Sequence, residues 1–467
     1  MLFRSLRCRA IRQLAVPELT MNITESKEHK MTTSQPPLKP EPALAGSPKT
    51  TFTSSPLRDY IPGMRRLGNS SLLSIKEALH LGAASPHCFA NALYDKVFGL
   101  KDLDFPRRII LHLANRCNFA CPMCSIGVAR ADRQKDYVGD TPFEIVQKAI
   151  EEAGQHGTYV ELLGGEPTLY SKLGPTIELL TKNRLLSYIV TNGFTLKKRA
   201  AEMVEAGLKV VLISLDGWDE ESSYKRGEVP GSFDAIRNGI AELQRLRGRK
   251  MFPIIRIGSV ITKVNYHSLD KIADAVYAMG VRRWGIQNYF FMTDAAMAEH
   301  HRFKHEHGVG DQVMAHHIPG VDSYLNREEV AGLKESLARV RKKLDGPMRD
   351  LRVEFDWNLD LDKYYSAQPP SRSSYCAMPY NRVDVFPDGR IAICGDGHTL
   401  GNIKDGTIRS AWGGGALRDF RKVLKQHGVM PMCFRCCGFM GGLKFDEAYT
   451  PKSDLVMISG APAAQAR

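Results

Sequence analysis

Cys117, Cys121 and Cys124 stand in one short run, Asn115-Arg116-Cys117-Asn118-Phe119-Ala120-Cys121-Pro122-Met123-Cys124, spaced Cys-x3-Cys-x2-Cys. Thiolates this close either pair as disulfides or bind a soft metal. Ten cysteines in 467 residues are too dilute for a small disulfide scaffold, so a metal site is expected. Structural zinc takes four ligands in a closed tetrahedron, yet the next cysteine, Cys376, lies 252 residues beyond Cys124 (376 minus 124). A [4Fe–4S] cluster on three thiolates leaves one iron open, which is a catalytic arrangement.

A second group lies near the C-terminus. Tyr380 through Ile393 reads as a hairpin turning at Pro387-Asp388-Gly389, which brings Cys376 and Cys394 near one another. Cys433-x2-Cys436 adds two thiolates and completes four ligands. On spacing alone, a zinc ribbon and an iron–sulfur site fit about equally. Cys8, Cys88 and Cys437 remain as spares, although Cys436 and its neighbour Cys437 can exchange roles.

The elements that must position these residues follow from periodicity. Strands are expected at Ile109–Leu113, Tyr159–Leu163, Tyr188–Thr191, Val210–Leu215, Ile254–Thr262 and Arg283–Gln287. Thr141, Pro142 and Glu144 form a capping-box start for a helix carrying Phe143, Val146, Ile150 and Ala153 on one face and stopping at Gly157. Two more amphipathic stripes run Phe233, Ile236, Ile240, Leu243, Leu246 to Gly248, and Leu269, Ile272, Val276, Met279 to Gly280. Six strands with helical crossovers predict a parallel α/β sheet, open and doubly wound or a partial (β/α)6 TIM-like barrel, with ligands at the C-terminal strand ends. The first cysteine run leaves the C-terminal end of the first strand.

Those residues resemble the radical S-adenosylmethionine (SAM) superfamily, whose signature is Cys117-x3-Cys121-x2-Cys124. The resemblance covers roughly residues 107–290. It implies that the open iron chelates SAM through its amino and carboxylate groups. Met123 stands where the family commonly has an aromatic residue. Gly164-Gly165-Glu166-Pro167 is similar to the family motif that holds SAM's amino group, two glycines allowing close backbone approach and Glu166 accepting hydrogen bonds. By the same resemblance Asn192, Ser214 and Asp216 read ribose or carboxylate at the strand tips, Arg226 meets the SAM carboxylate, and Gly258 lets the adenine pack. Cys376-x12-Gly389-x4-Cys394 resembles the opening of the auxiliary-cluster extension called SPASM. With no cysteine after Cys437, it looks like the shorter "twitch" variant, in which Cys376, Cys394, Cys433 and Cys436 hold one auxiliary [4Fe–4S] cluster.

The expected organisation is a disordered basic leader (1–60), an N-terminal helical segment (61–105), the barrel (106–290), a helical insertion or linker (291–365), the auxiliary-cluster domain (366–447) and a tail (448–467). The leader has nine Lys and Arg against five Asp and Glu. Arg4, Arg7, Arg9 and Arg12 resemble a transit peptide, or a start placed too early, with Met21 and Met31 as later ones. Net charge is +13, but outside the leader it is scattered, so nucleic acid is not expected as a partner. No run of about 18 apolar residues suggests a membrane span, and a cytoplasmic location is expected.

Other signals carry less. Asp396-x-His398-x-x-Gly401 matches a cobalamin-binding pattern, but no flavodoxin-like domain fits between Cys394 and Cys433. His300, His301, His305, His307, His316 and His317 read as an exposed insertion or lid near the barrel mouth. Arg339, Arg341, Lys342 and Lys343 read as a solvated helix face. Gln287, Asn288 and Tyr289 end the last expected strand and either face substrate or cap it.

The function implied is reductive cleavage of SAM to a 5′-deoxyadenosyl radical, followed by hydrogen abstraction from a substrate, with an electron donor such as flavodoxin or ferredoxin. The short 61–105 segment leans the substrate toward a small metabolite; a peptide or protein side chain is the alternative. A non-catalytic iron–sulfur or zinc scaffold is the reading from another class.

Overall fold

Alternation along each strand decides the architecture. The parallel strands β1 (Arg108–His112), β2 (Tyr159–Leu163), β3 (Ser187–Thr191), β4 (Val210–Ser214), β5 (Ile254–Ile261) and β6 (Arg283–Asn288) follow one another in the sheet. The computed structural model describes residues 79–98, 103–124, 139–291, 293–309, 324–366, 378–394, 398–427 and 430–435. One side of the strands carries Ile109, Leu111, Val160, Leu162, Ile189, Val211, Ile213, Ile257 and Ile286, all buried in one core with helix residues. The register places Arg108 beside Tyr159, Glu161 beside Tyr188, and Leu212 beside Arg256, so these residues share the opposite face. There Leu163, Val190, Leu212, Ser214, Gly258 and Gly285 are only half-buried. Arg256 on β5 lies within electrostatic reach of Tyr159 on β2, although two strands intervene. A flat sheet would hold those strands about 14 Å apart, so the sheet curls and its polar face is the interior of a partial barrel.

The crossovers are helical. Between β1 and β2 runs α1 (Phe143–His156), between β2 and β3 α2 (Leu173–Lys182), and between β3 and β4 α3 (Leu196–Glu205). Next come α4 (Glu220–Gly227) and α5 (Ser232–Arg247) before β5, and α6 (Leu269–Ala278) before β6. The stripes buried on α5 and α6, Ile236, Ile240 and Leu243, then Leu269, Ile272 and Val276, are those periodicity indicates. Gly157 and Gly248 close their helices at positive φ, 62° and 55°. The capping box expected at Thr141 does not form. The Thr141 hydroxyl instead donates to the His112 carbonyl, 2.6 Å, and Pro142 occupies the cap position of α1 without a side-chain bond.

The sheet is longer than six strands. β7 (Arg352–Glu354) joins β6 in parallel, after α7 (Asp294–His307) and α8 (Arg327–Leu344). On the other side, β8 (Arg382–Val385) pairs in parallel with β1, and β9 (Arg390–Ile393) and β10 (His398–Asn402) follow antiparallel. The expected hairpin at Pro387-Asp388-Gly389 is therefore present, with Gly389 at φ 88°, and it extends the barrel sheet. Trp412 Nε1–H donates to the Leu103 carbonyl, 2.8 Å, and the Glu152 carboxylate on α1 accepts from the Ile408 and Arg409 amides, each 3.2 Å. No helix among the described residues is long and apolar enough to cross a membrane.

Candidate active site

The cysteine run leaves the C-terminal end of β1 and is fastened on two sides. On one side is Gly164-Gly165. Gly165 N–H donates to the Ala114 carbonyl, 2.7 Å, and Glu166 N–H to the Arg116 carbonyl, 2.8 Å. A methyl group on Gly164 would stand 2.4 Å from the Ala114 carbonyl oxygen, and one on Gly165 would stand 2.2 Å from that of Arg116. What these glycines admit is thus the backbone of the cysteine loop itself. On the other side Phe119, 2% exposed, lies against Gly227 at the end of α4, and Ala120 N–H donates to the Gly227 carbonyl, 3.2 Å. A methyl on Gly227 would fall 2.3 Å from the Phe119 ring.

Glu166 is the knot between the loop and the neighbouring strand tips. It is 1% exposed. Its carboxylate accepts from Thr168 N–H, 2.9 Å, Thr191 Oγ1, 2.6 Å, Asn192 N–H, 2.7 Å, and the Thr168 hydroxyl. Burial raises its pKa, against those four donors, which favour the carboxylate. Asn192 Nδ2 then donates to Asn118 Oδ1, 2.9 Å, and lies 3.8 Å from Cys117 Sγ. Thr168 went unrecognised in the sequence, and Thr191 was read there only as the polar end of the third strand.

Asp216, 4% exposed, accepts from Val260 N–H, 2.7 Å, and pairs with Arg226 Nε. Burial opposes the charge of Arg226, but the Asp216 carboxylate and the Cys121 thiol beside it hold its pKa above the ordinary arginine value. Burial pushes the Cys117 thiol up, and that of Cys121 up to about 11 against the pull of Arg226. Cys117, Cys121 and Cys124 perturb one another's ionisation. Among the described residues, however, no three His, Cys, Asp or Glu side chains are gathered around one point. Burial favours the neutral thiols here, so a bound cation is what would hold these groups as thiolates. The donor set fits a thiolate-held iron–sulfur cluster. Three sulfurs share one loop, a buried guanidinium offsets their charge, and Phe119 N–H points at Cys117 Sγ, 3.4 Å.

Ser214, the last residue of β4, pairs with Gly258 inside β5, and both are half-buried. Gln287 is exposed at the end of β6. Asn288 instead accepts from the Tyr365 hydroxyl, 3.3 Å, and the Tyr289 carbonyl from that of Tyr364, 2.7 Å. Met123 packs partly buried against the core.

Of the C-terminal cysteines, Cys394 directly follows β9 at φ 57°, a left-handed conformation, and Cys433 is buried in the short helix Pro431–Arg435. Cys376, Cys436 and Cys437 lie outside the described residues, as do Asp396, His316 and His317. His398 stacks on Phe420, centroids 4.8 Å apart, and its Nε2 lies 3.1 Å from the Ala416 carbonyl. The histidine segment is corrected in one respect. It folds as α7, and His300 is 2% exposed on its buried side with Met297 and Phe303.

Residues 111–293 match the model of the radical SAM superfamily, and residues 376–437 match SPASM, an iron–sulfur cluster-binding domain. PqqA peptide cyclase of Rhizobium meliloti is 22% identical over 318 residues, 66% of this chain and 73% of that protein. A GTP 3′,8-cyclase of Tolumonas auensis is 28% identical over 185 residues, 38% of this chain and about half (53%) of the cyclase. Streptococcus suis SuiB bound to precursor peptide SuiA shares the fold, with TM-score 0.51 and 16% identity over 75% of this chain and 74% of SuiB. So does anSMEcpe with bound AdoMet, with TM-score 0.50 and 16% identity over 71% and 88% of the two chains. The two domains imply a [4Fe–4S] cluster with SAM, and auxiliary iron–sulfur ligation at the C-terminus.

Proposed function

We propose that this chain, which carries a radical SAM domain followed by a SPASM domain, modifies a side chain of a peptide or protein substrate. The observation that carries the reading is the likeness to a peptide cyclase along 66% of the chain. It supports the peptide alternative over the small metabolite toward which the short 61–105 segment leans.

A [4Fe–4S] cluster held here would supply the electron for reductive cleavage of SAM, and with it the radical chemistry that removes a hydrogen atom from the substrate. The rest is the chain's own work. Cys117, Cys121 and Cys124 hold the cluster. Gly164 and Gly165 set the loop's height above the sheet, and Glu166 with Asn192 fixes its angle. Arg226, held by Asp216, supplies positive charge beside the sulfurs, and Ser214 at the tip of β4 with Gly258 beside it on β5 leaves room for the nucleoside. Gln287, exposed on the barrel side of β6, faces substrate. Cys376, Cys394, Cys433 and Cys436 hold the auxiliary cluster, and an electron donor of the flavodoxin or ferredoxin type supplies the reductant.

Anaerobic reconstitution tests this. Two clusters give about eight irons per chain, and reduction with SAM releases 5′-deoxyadenosine. Candidate peptides encoded beside the gene then show a mass change. Cys121→Ala abolishes SAM cleavage. A mass change in a small metabolite with none in any peptide would overturn the substrate reading, and zinc at the C-terminal cysteines would overturn the auxiliary cluster.

A further inference from the structure

The interior face of the barrel holds an arginine whose hydrogen-bonding capacity is mostly unmet. Arg256, 4% exposed at the middle of β5, donates from Nη2 to Glu354, while its Nε and Nη1 have no partner. The Tyr159 hydroxyl on β2, 3% exposed, also has none. Buried polar groups are nearly always paired, and an unmet donor costs about 1–3 kcal/mol, more for a charged group. By register both side chains belong to the inward face, Arg256 beside the Glu354 carboxylate and Tyr159 beside Glu161, and the fold itself supplies no acceptor for their remaining donors.

Access is built in as well. One inward position above Arg256, about 7 Å along β5, is Gly258, and the register sets Gly285 directly beside it. Both are half-buried. A methyl on Gly285 would meet nothing nearer than the Ile257 carbonyl, 3.9 Å away, whereas one on Gly258 would stand 3.2 Å from the Leu212 side chain, so the room in this layer is on the β6 side alone. A side chain here would close the way down.

We propose that Arg256 and Tyr159 seat an oxyanion of the substrate below the SAM level, reached past Gly285 on the β6 side of the nucleoside. A guanidinium edge and a phenol suit a carboxylate or a phosphate oxygen. This rests on the peptide reading in assigning the oxyanion to a peptide carboxylate, from Asp, Glu or a C-terminus; a phosphate group is the other source of the same chemistry.

The reconstituted holoenzyme is titrated with glutarate and with inorganic phosphate at low ionic strength, and binding is read by calorimetry. Glutarate binds wild type, tenfold or more weakly in Tyr159→Phe, and not at all in Arg256→Gln. Phosphate binding more tightly than glutarate, with the same loss in both variants, supports the seat and assigns it to a phosphorylated substrate. The melting temperature of Tyr159→Phe without anion stays at the wild-type value, since its hydroxyl bonds nothing in the fold. A clear drop would mean the hydroxyl is structural and would overturn the proposal. So would binding of neither anion to wild type, or equal binding to all three proteins. Release of 5′-deoxyadenosine, measured in parallel, reports separately on the radical reading.

Discussion

The Arg226 guanidinium lies over the Phe119 ring, 5.7 Å from its centroid, while its Nε is held by Asp216. The cysteine loop is therefore packed and charged by one residue, and that residue depends on one carboxylate. Arg226 and Asp216 side chains are 14% and 5% exposed, so the pair is largely removed from water. Asp216→Asn keeps an acceptor for Val260 N–H and removes the charge. Unpairing a buried cation costs about 3–5 kcal/mol. The denaturation midpoint should fall accordingly, and Asp216→Asn with Arg226→Met together should cost less than the sum of the single changes.

Gly165→Ala should leave the fold and remove the radical cluster. The added methyl meets a main-chain carbonyl, which cannot swing aside as a side chain does. The loop must then lift from the sheet. Iron content should fall from about eight to about four per chain, with far-ultraviolet dichroism unchanged. Retention of all the iron would show that the loop does not need this approach.

Stability should depend on pH through His300. Its burial, with Nδ1 lacking a partner, lowers the pKa to about 4, against an ordinary value near 6.5. Below 6.5 the unfolded chain takes up a proton that the folded one refuses. This contribution is thus neutral above 6.5 and grows more unfavourable as pH falls toward about 4, reaching some 2–3 kcal/mol. His300→Gln should flatten the wild-type loss across that window, measured as the difference between the two denaturation curves. Parallel curves from pH 6.5 to 4 would refute it.

Most of this was legible where local pattern decides. The six barrel strands sit within one residue of their expected ends, because each is a short apolar run bounded by turns. β7 was not foreseen. Arg352-Val353-Glu354 holds one apolar residue, and its strand character comes from pairing with β6. Thr141 looked like a cap in sequence, yet a tertiary acceptor, the His112 carbonyl, was the better partner. Arg256 was hidden for another reason. It lies inside Ile254–Ile261, where the apolar majority reads as core, and only the register shows that it faces the barrel interior. Glu166 was recognised by its motif, but of the hydroxyls that occupy it only that of Thr168 is local; Thr191, 25 residues on, is brought there by folding.

The pairing of β8 with β1 has a consequence for synthesis. His112 and Asp384, side by side across that pairing, are 272 residues apart in the chain. One edge of β1 therefore emerges from the ribosome without its neighbour and stays unpaired until β8 is made. The cysteine loop hangs from that same strand. During this interval the polypeptide resembles an open clasp. Arrival of the C-terminal hairpin then shuts the clasp, and a chain truncated before residue 382 would keep an unpaired edge prone to aggregation.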